Sequence, residues 1–167
     1  MINMLLHPDG SGGALQESRR MFEVDVSLLT HESKRVRLRD AGGEHGLVAV
    51  GVGRAGGRGF QLLHRFAALS ERLDAAGVNL VFVYPAQSAR HVQDALSVMA
   101  ARYRNKPCLL LDEAGLFFGD TLPPQRHSVM RFDRHMACVE TLEIDARETD
   151  WDSRLGEFLA GVLADSA

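Results

Sequence analysis

Cysteine, lysine and long apolar runs are all scarce in this chain of 167 residues. The two cysteines, Cys108 and Cys138, form no Cys-x-x-Cys pair, so neither a disulfide-rich scaffold nor a vicinal dithiol is available. Only Lys34 and Lys106 are lysine among 19 basic residues, and 22 acidic residues leave a net charge of −3. Without a basic surplus to neutralise phosphates, general nucleic-acid binding is not expected. No stretch approaches the ~18 apolar residues of a membrane span. The opening residues lack a basic segment, and their short apolar run does not make a signal peptide. The expectation is a soluble cytoplasmic protein with reduced thiols. Internal repeats and low-complexity segments are absent as well.

What the chain does have is an ordinary globular composition, 46% hydrophobic and 25% charged. A domain of this length hides roughly 70% of its unfolded surface and holds a core without staples. Residues 7–13 are turn formers with nothing to bury, so residues 1–13 are expected to be a mobile leader. Residues 14–167 are expected to form one domain.

Hydrophobic periodicity gives the order of elements. A short helix is expected over residues 14–22. Phe22-Glu-Val-Asp-Val-Ser-Leu-Leu and Lys34-Arg-Val-Arg-Leu-Arg alternate at period two around a polar turn, as a β-hairpin does. Leu47-Val-Ala-Val-Gly-Val is continuously apolar and suits a strand buried on both faces. A glycine-rich loop from Gly51 to Gly59 follows. Leu62, Leu63, Phe66, Leu69 and Leu73 then predict a helix over residues 60–76, stopped by Gly77. Val78-Asn-Leu-Val-Phe-Val-Tyr is a second buried strand, halted by Pro85. A helix capped by Ser88, with Val92, Leu96, Met99 and Tyr103 as its stripe, leads to a third buried strand, Pro107-Cys-Leu-Leu-Leu.

Residues 119–127 are expected to be loop, with Pro123 and Pro124 fixing an extended path. Ser128-Val-Met-Arg-Phe and Met136-Ala-Cys-Val-Glu-Thr-Leu flank a turn at Asp133, Arg134 and His135, too tight for anything but antiparallel strands. Trp151, Leu155, Phe158, Leu159, Val162 and Leu163 line a closing helix, capped by Thr149 or Asp150. Together these elements imply an α/β domain: a central mixed β-sheet with helices on both faces and an N-terminal β-hairpin.

This order resembles the thioredoxin superfamily, and within it the peroxiredoxin-like, or redoxin, branch. The resemblance covers about residues 22–163. Phe22-Glu-Val-Asp-Val-Ser-Leu with Lys34-Arg-Val-Arg-Leu-Arg-Asp is similar to the family's opening hairpin. Lys106-Pro-Cys-Leu-Leu-Leu-Asp-Glu-Ala-Gly and Ser128-Val-Met-Arg-Phe-Asp resemble two later family segments. Residues 47–83 match the strand–active loop–helix–strand unit. The resemblance implies a thioredoxin-like fold and places the active loop at Gly56, Gly57, Arg58 and Gly59, where the family carries its reactive cysteine. Glycine supplies no thiolate for the helix N-terminus to stabilise. The family's cis-proline position falls on His127, preceded by Arg126.

Other constellations are weaker. Gly51-Val-Gly53-Arg-Ala-Gly56 matches a dinucleotide fingerprint, but the next strand ends in Val83-Tyr84-Pro85 with no acid for a ribose. Arg54 and Arg58 beside the helix start make a candidate anion site. His135-Met-Ala-Cys138 offers soft ligands, yet positions three apart on a strand face opposite sides. Cys138 and Cys108 are expected to be small core residues. No metal or cofactor is expected.

Two functions follow. The preferred one is a non-catalytic binding protein that grips a protein partner with Arg54, Arg58, Phe60, Arg126 and His127, in the setting of redox-enzyme assembly or maturation. The alternative is a thiol oxidoreductase or antioxidant enzyme using Cys108 or Cys138 as a displaced thiol. A homodimer is compatible with either.

Overall fold

A computed structural model describes residues 26–30, 32–52, 61–90, 92, 94, 108–113, 115 and 126–167. The expected leader, the helix over 14–22, the whole glycine loop after Val52 and the residues around Pro123 and Pro124 lie outside them. Seven strands form one sheet in the order β2-β1-β5-β4-β3-β6-β7. They are β1 (Ser27–Thr30), β2 (Arg35–Arg37), β3 (Gly46–Val52), β4 (Val78–Pro85), β5 (Leu109–Asp112), β6 (Arg126–Phe132) and β7 (Cys138–Asp145). The three central strands, β5, β4 and β3, run parallel, and the other pairs are antiparallel. The mixed sheet expected from the sequence is therefore present.

Strand alternation splits the core into two layers. Every residue of β3 is buried, as the unbroken apolar run requires. Val48, Val50 and Val52 join one cluster with Leu80, Phe82 and Tyr84, while Leu47 and Ala49 join the other with Val81 and Val83. The helices α1 (Gln61–Arg65), α2 (Ala67–Ala75) and α3 (Trp151–Asp165) all feed the first cluster, through Leu62, Leu73, Leu155, Leu159 and Val162. The last three recur at i, i+4, i+7, which keeps them on one stripe. Full burial of each is worth about 1.5–3 kcal/mol. The second cluster is closed by Leu28 of β1 and by Leu38 and Ala41 of a 3-10 turn.

Several expectations need correction. The helix over residues 60–76 is broken at Phe66, which has φ −103° and ψ 14°. Its amide still reaches the Leu62 carbonyl, its carbonyl accepts from the Ser70 amide, and its ring packs towards Gly156 of α3. Leu38 leaves the hairpin for the 3-10 turn, although it stays buried. Arg126 and His127 are the first residues of β6 rather than loop. β7 starts at Cys138 and runs to Asp145, because the turn takes in Met136 at φ 63°. Asp150 stands at the N-cap of α3 but makes no side-chain cap hydrogen bond. Gly77 does stop its helix, at φ +79°, a conformation that other residues adopt only with strain.

Candidate functional site

Parallel strands put their carboxyl ends on one edge of the sheet, where ligands of open α/β sheets gather. Here β3 ends at Val52 and β4 at Pro85. β6 runs the opposite way, so it starts at that same edge, with His127 opposite Val52. The register on its other side pairs His127 with Ile144 of β7. Alternation aims the imidazole at the helix-covered face, where Val52 and Ile144 are both fully buried.

His127 is 7% exposed, and its Nδ1 has no hydrogen-bond partner among the described residues. Burial pushes its pKa below the usual 6.5, because the charged form is the one desolvated. Its ring meets Trp151, the first residue of α3, edge-on, with centroids 5.6 Å apart and planes at 62°. That geometry suits the ring quadrupoles. The Arg65 guanidinium of α1 lies 5.6 Å from the centroid of the same indole. Arg65 also donates a hydrogen bond to the Asp152 carboxylate in the first turn of α3. A wall of alternating charge and aromatic surface thus stands between α1, β6 and α3.

Beside it, Arg126 is exposed and faces Asp145 across the strands. The Asp145 carboxyl is held well below its usual range, chiefly by hydrogen bonds from the Arg147 side chain and backbone. On the same face as Arg126, opposite to that of His127, the Ser128 hydroxyl donates to Glu143 at 2.8 Å.

Both thiols are remote from this edge. Cys108 precedes β5, is 6% exposed, and its carbonyl accepts a hydrogen bond from the Phe82 amide at 2.8 Å. Burial pushes its thiol up to about 11. Cys138 packs against the second core cluster but is not fully buried, contrary to what its sequence context suggests. It is half-buried at the start of β7, which is an edge strand, and its thiol lies 3.8 Å from the Glu140 carbonyl. It pairs with Phe132, which in turn pairs with Leu47, five residues along β3 from Val52. That is about 17 Å down the strands from His127. Four strand spacings of about 4.8 Å separate β5 from β7, roughly 19 Å in all. No disulfide joins cysteines so far apart.

Of the residues that the sequence nominated, the structure brings Arg126 and His127 to the carboxyl edge and keeps Cys108 and Cys138 from it. Arg54, Gly56, Gly57, Arg58, Gly59 and Phe60 lie outside the described residues. Arg65 and Asp152 escaped the sequence reading. They are 87 positions apart, and no local spacing announces the pair.

The same architecture recurs among solved structures. Peroxiredoxin Q of Xanthomonas campestris superposes with a TM-score of 0.63 at 16% identity, over 86% of this chain and 94% of that one. A peroxidoxin, BcpB, of Mycobacterium tuberculosis gives 0.59 at 14% identity, over 83% and 91%. A putative thiol:disulfide interchange protein DsbE of Chlorobium tepidum gives 0.57 at 15%, over 82% and 92%. No protein-family model matches the chain, and no curated protein matches it either.

Proposed function

From a thioredoxin-like fold of the peroxiredoxin kind, we propose a non-catalytic protein that binds another polypeptide at the carboxyl edge of its parallel strands. Assembly or maturation of a redox enzyme is the setting that this fold suggests by analogy. One observation carries the reading. The stretch of sequence between β3 and α1 reads Gly53-Arg-Ala-Gly-Gly-Arg-Gly-Phe60 and contains no sulfur. Thiol chemistry in this fold needs a thiolate there, held by the partial positive charge of the helix start.

What remains at that edge is suited to contact rather than chemistry. Arg126 supplies donors for acidic or backbone oxygens there and Trp151 supplies apolar surface, while Arg54, Arg58 and Phe60, nominated by the sequence for the same contact, lie outside the described residues. The competing reading, a thiol oxidoreductase, has Cys138 as its better candidate, because that side chain is half-buried while Cys108 is buried.

The test is capture of partners from the source cell with three proteins: wild type, Cys108→Ser/Cys138→Ser, and Arg54→Glu/Arg58→Glu/Arg126→Glu. The same partner should come down with the first two and be weakened with the third. Loss of the partner in the cysteine-free protein would transfer the weight to thiol exchange. An unchanged affinity after triple charge reversal would move the binding face elsewhere.

A further inference from the structure

We propose that His127 is a proton-operated latch on the first turn of α3. The imidazole is buried at the seam of β6, α1 and α3, leans edge-on against Trp151, and leaves Nδ1 without a partner among the described residues. A neutral ring fits this seam. A protonated one has donors on both nitrogens and a charge that no carboxylate among the described residues is free to receive at the seam.

The groups around it make the charge harder to hold. β3 and β7 present Val52 and Ile144, both apolar and fully buried. α1 contributes Arg65, a cation of the same sign, 5.6 Å from the centroid of the same indole. α3 contributes Asp152, whose carboxylate is already engaged by Arg65. Arg126, the preceding residue on β6, is exposed, and its nearest strand partner Asp145 is bound by Arg147. His64 of α1 is exposed.

The element that the ring touches is tied down by ion pairs, Arg65 with Asp152 and Arg154 with Glu148, but not by a cap. α3 begins without a side-chain cap, so its first amides lack the anchor that an Asp or Ser usually supplies. The Trp151 amide reaches only the Glu148 carbonyl, at 3.5 Å. Protonation expels the imidazole towards water, removes the edge contact from Trp151 and leaves that first turn held by the ion pairs of Asp152 and Arg154 alone.

The direction with pH follows from linkage. The folded His127 titrates below the unfolded value of 6.5. Its contribution to stability is therefore complete above 6.5 and is lost as pH falls from there through the folded value. The latch is closed at neutral pH and opens on acidification. Its regulatory meaning rests on the function proposed above, since it borders the binding edge. The titration is run on the protein alone and does not depend on a partner.

Trp151 is the single tryptophan of the chain, so its fluorescence reads this seam directly. Emission is followed from pH 7.5 to 5 on wild type, His127→Phe and His64→Gln. The expected result is a red shift with one-proton steepness and a midpoint below 6.5, present in wild type and His64→Gln and absent in His127→Phe. Hydrogen exchange of the amides of residues 151–155 should accelerate over the same range. Should His127→Phe fail to fold, the proton NMR titration of the His127 ring in wild type takes its place and must share the fluorescence midpoint. A flat emission, a transition that survives His127→Phe, or a His127 midpoint at or above 6.5 overturns the proposal.

Discussion

Cys108 offers a quantitative check on the buried side of the sheet. The perturbation is Cys138→Ser, which leaves Cys108 as the only thiol, and the assay is Ellman's reagent at pH 8 on native and denatured protein. Burial moves the Cys108 thiol from 9.0 to about 11. At pH 8 its thiolate fraction then falls from about one in ten to about one in a thousand, roughly 100-fold or about 3 kcal/mol. A more basic thiolate is also more nucleophilic, which returns about 8-fold for a Brønsted slope near 0.45. The net electronic effect is a slowing of about 10-fold, and access through a site 6% exposed slows it further. Native Cys138→Ser should therefore label at least about 10-fold more slowly than the denatured protein. Wild type should label in two phases, with the half-buried Cys138 first. A single-thiol protein that labels natively at its denatured rate would refute the reasoning. It would also place Cys108 at a surface this fold does not give it.

Three further outcomes are expected. Mild oxidation of the native protein should yield no intramolecular disulfide by mass spectrometry, given the roughly 19 Å between the strands that carry the cysteines. Gly77→Ala should lower stability in chemical denaturation by about 1–2 kcal/mol, the cost of left-handed backbone for a residue with a Cβ. The new methyl carbon would also stand 2.6 Å from the His45 ring, which must swing aside. Leu155→Ala, at a fully buried position of α3, should cost about 2–5 kcal/mol in the same assay. A change of a few tenths in either variant would contradict the packing described.

The central β-α-β unit was legible because its signals are local. Leu47 to Val52 and Leu80 to Tyr84 are unbroken apolar runs, and Gly77 sits where a helix must end. The stripe of the last helix was legible for the same reason: Leu155, Leu159 and Val162 keep helical spacing and are all buried. The misplacements have tertiary causes. Phe66, where the helix departs from regular geometry, packs towards Gly156, 90 residues away, a contact that no local window senses. Arg126 and His127 carry no strand pattern of their own and are drawn into β6 by pairing with Asp145, Ile144 and Val52. β7 is an edge strand with exposed Glu140 and Glu143, so its charges hide its length. At the candidate site, His127 was marked by a family resemblance and Arg126 by adjacency. Arg65 and Asp152 became visible only when the fold brought α1 and α3 together.

Turnover tests the central claim most directly. Wild-type protein is assayed for insulin-disulfide reduction with dithiothreitol and for peroxide consumption with a thioredoxin reducing system. A chain that reads Gly56-Gly57-Arg58-Gly59 where the peroxiredoxin-like resemblance places the reactive cysteine should give no rate above the uncatalysed background in either assay. A rate above background that vanishes in Cys108→Ser or Cys138→Ser would contradict the account and make the protein a thiol enzyme with a displaced cysteine.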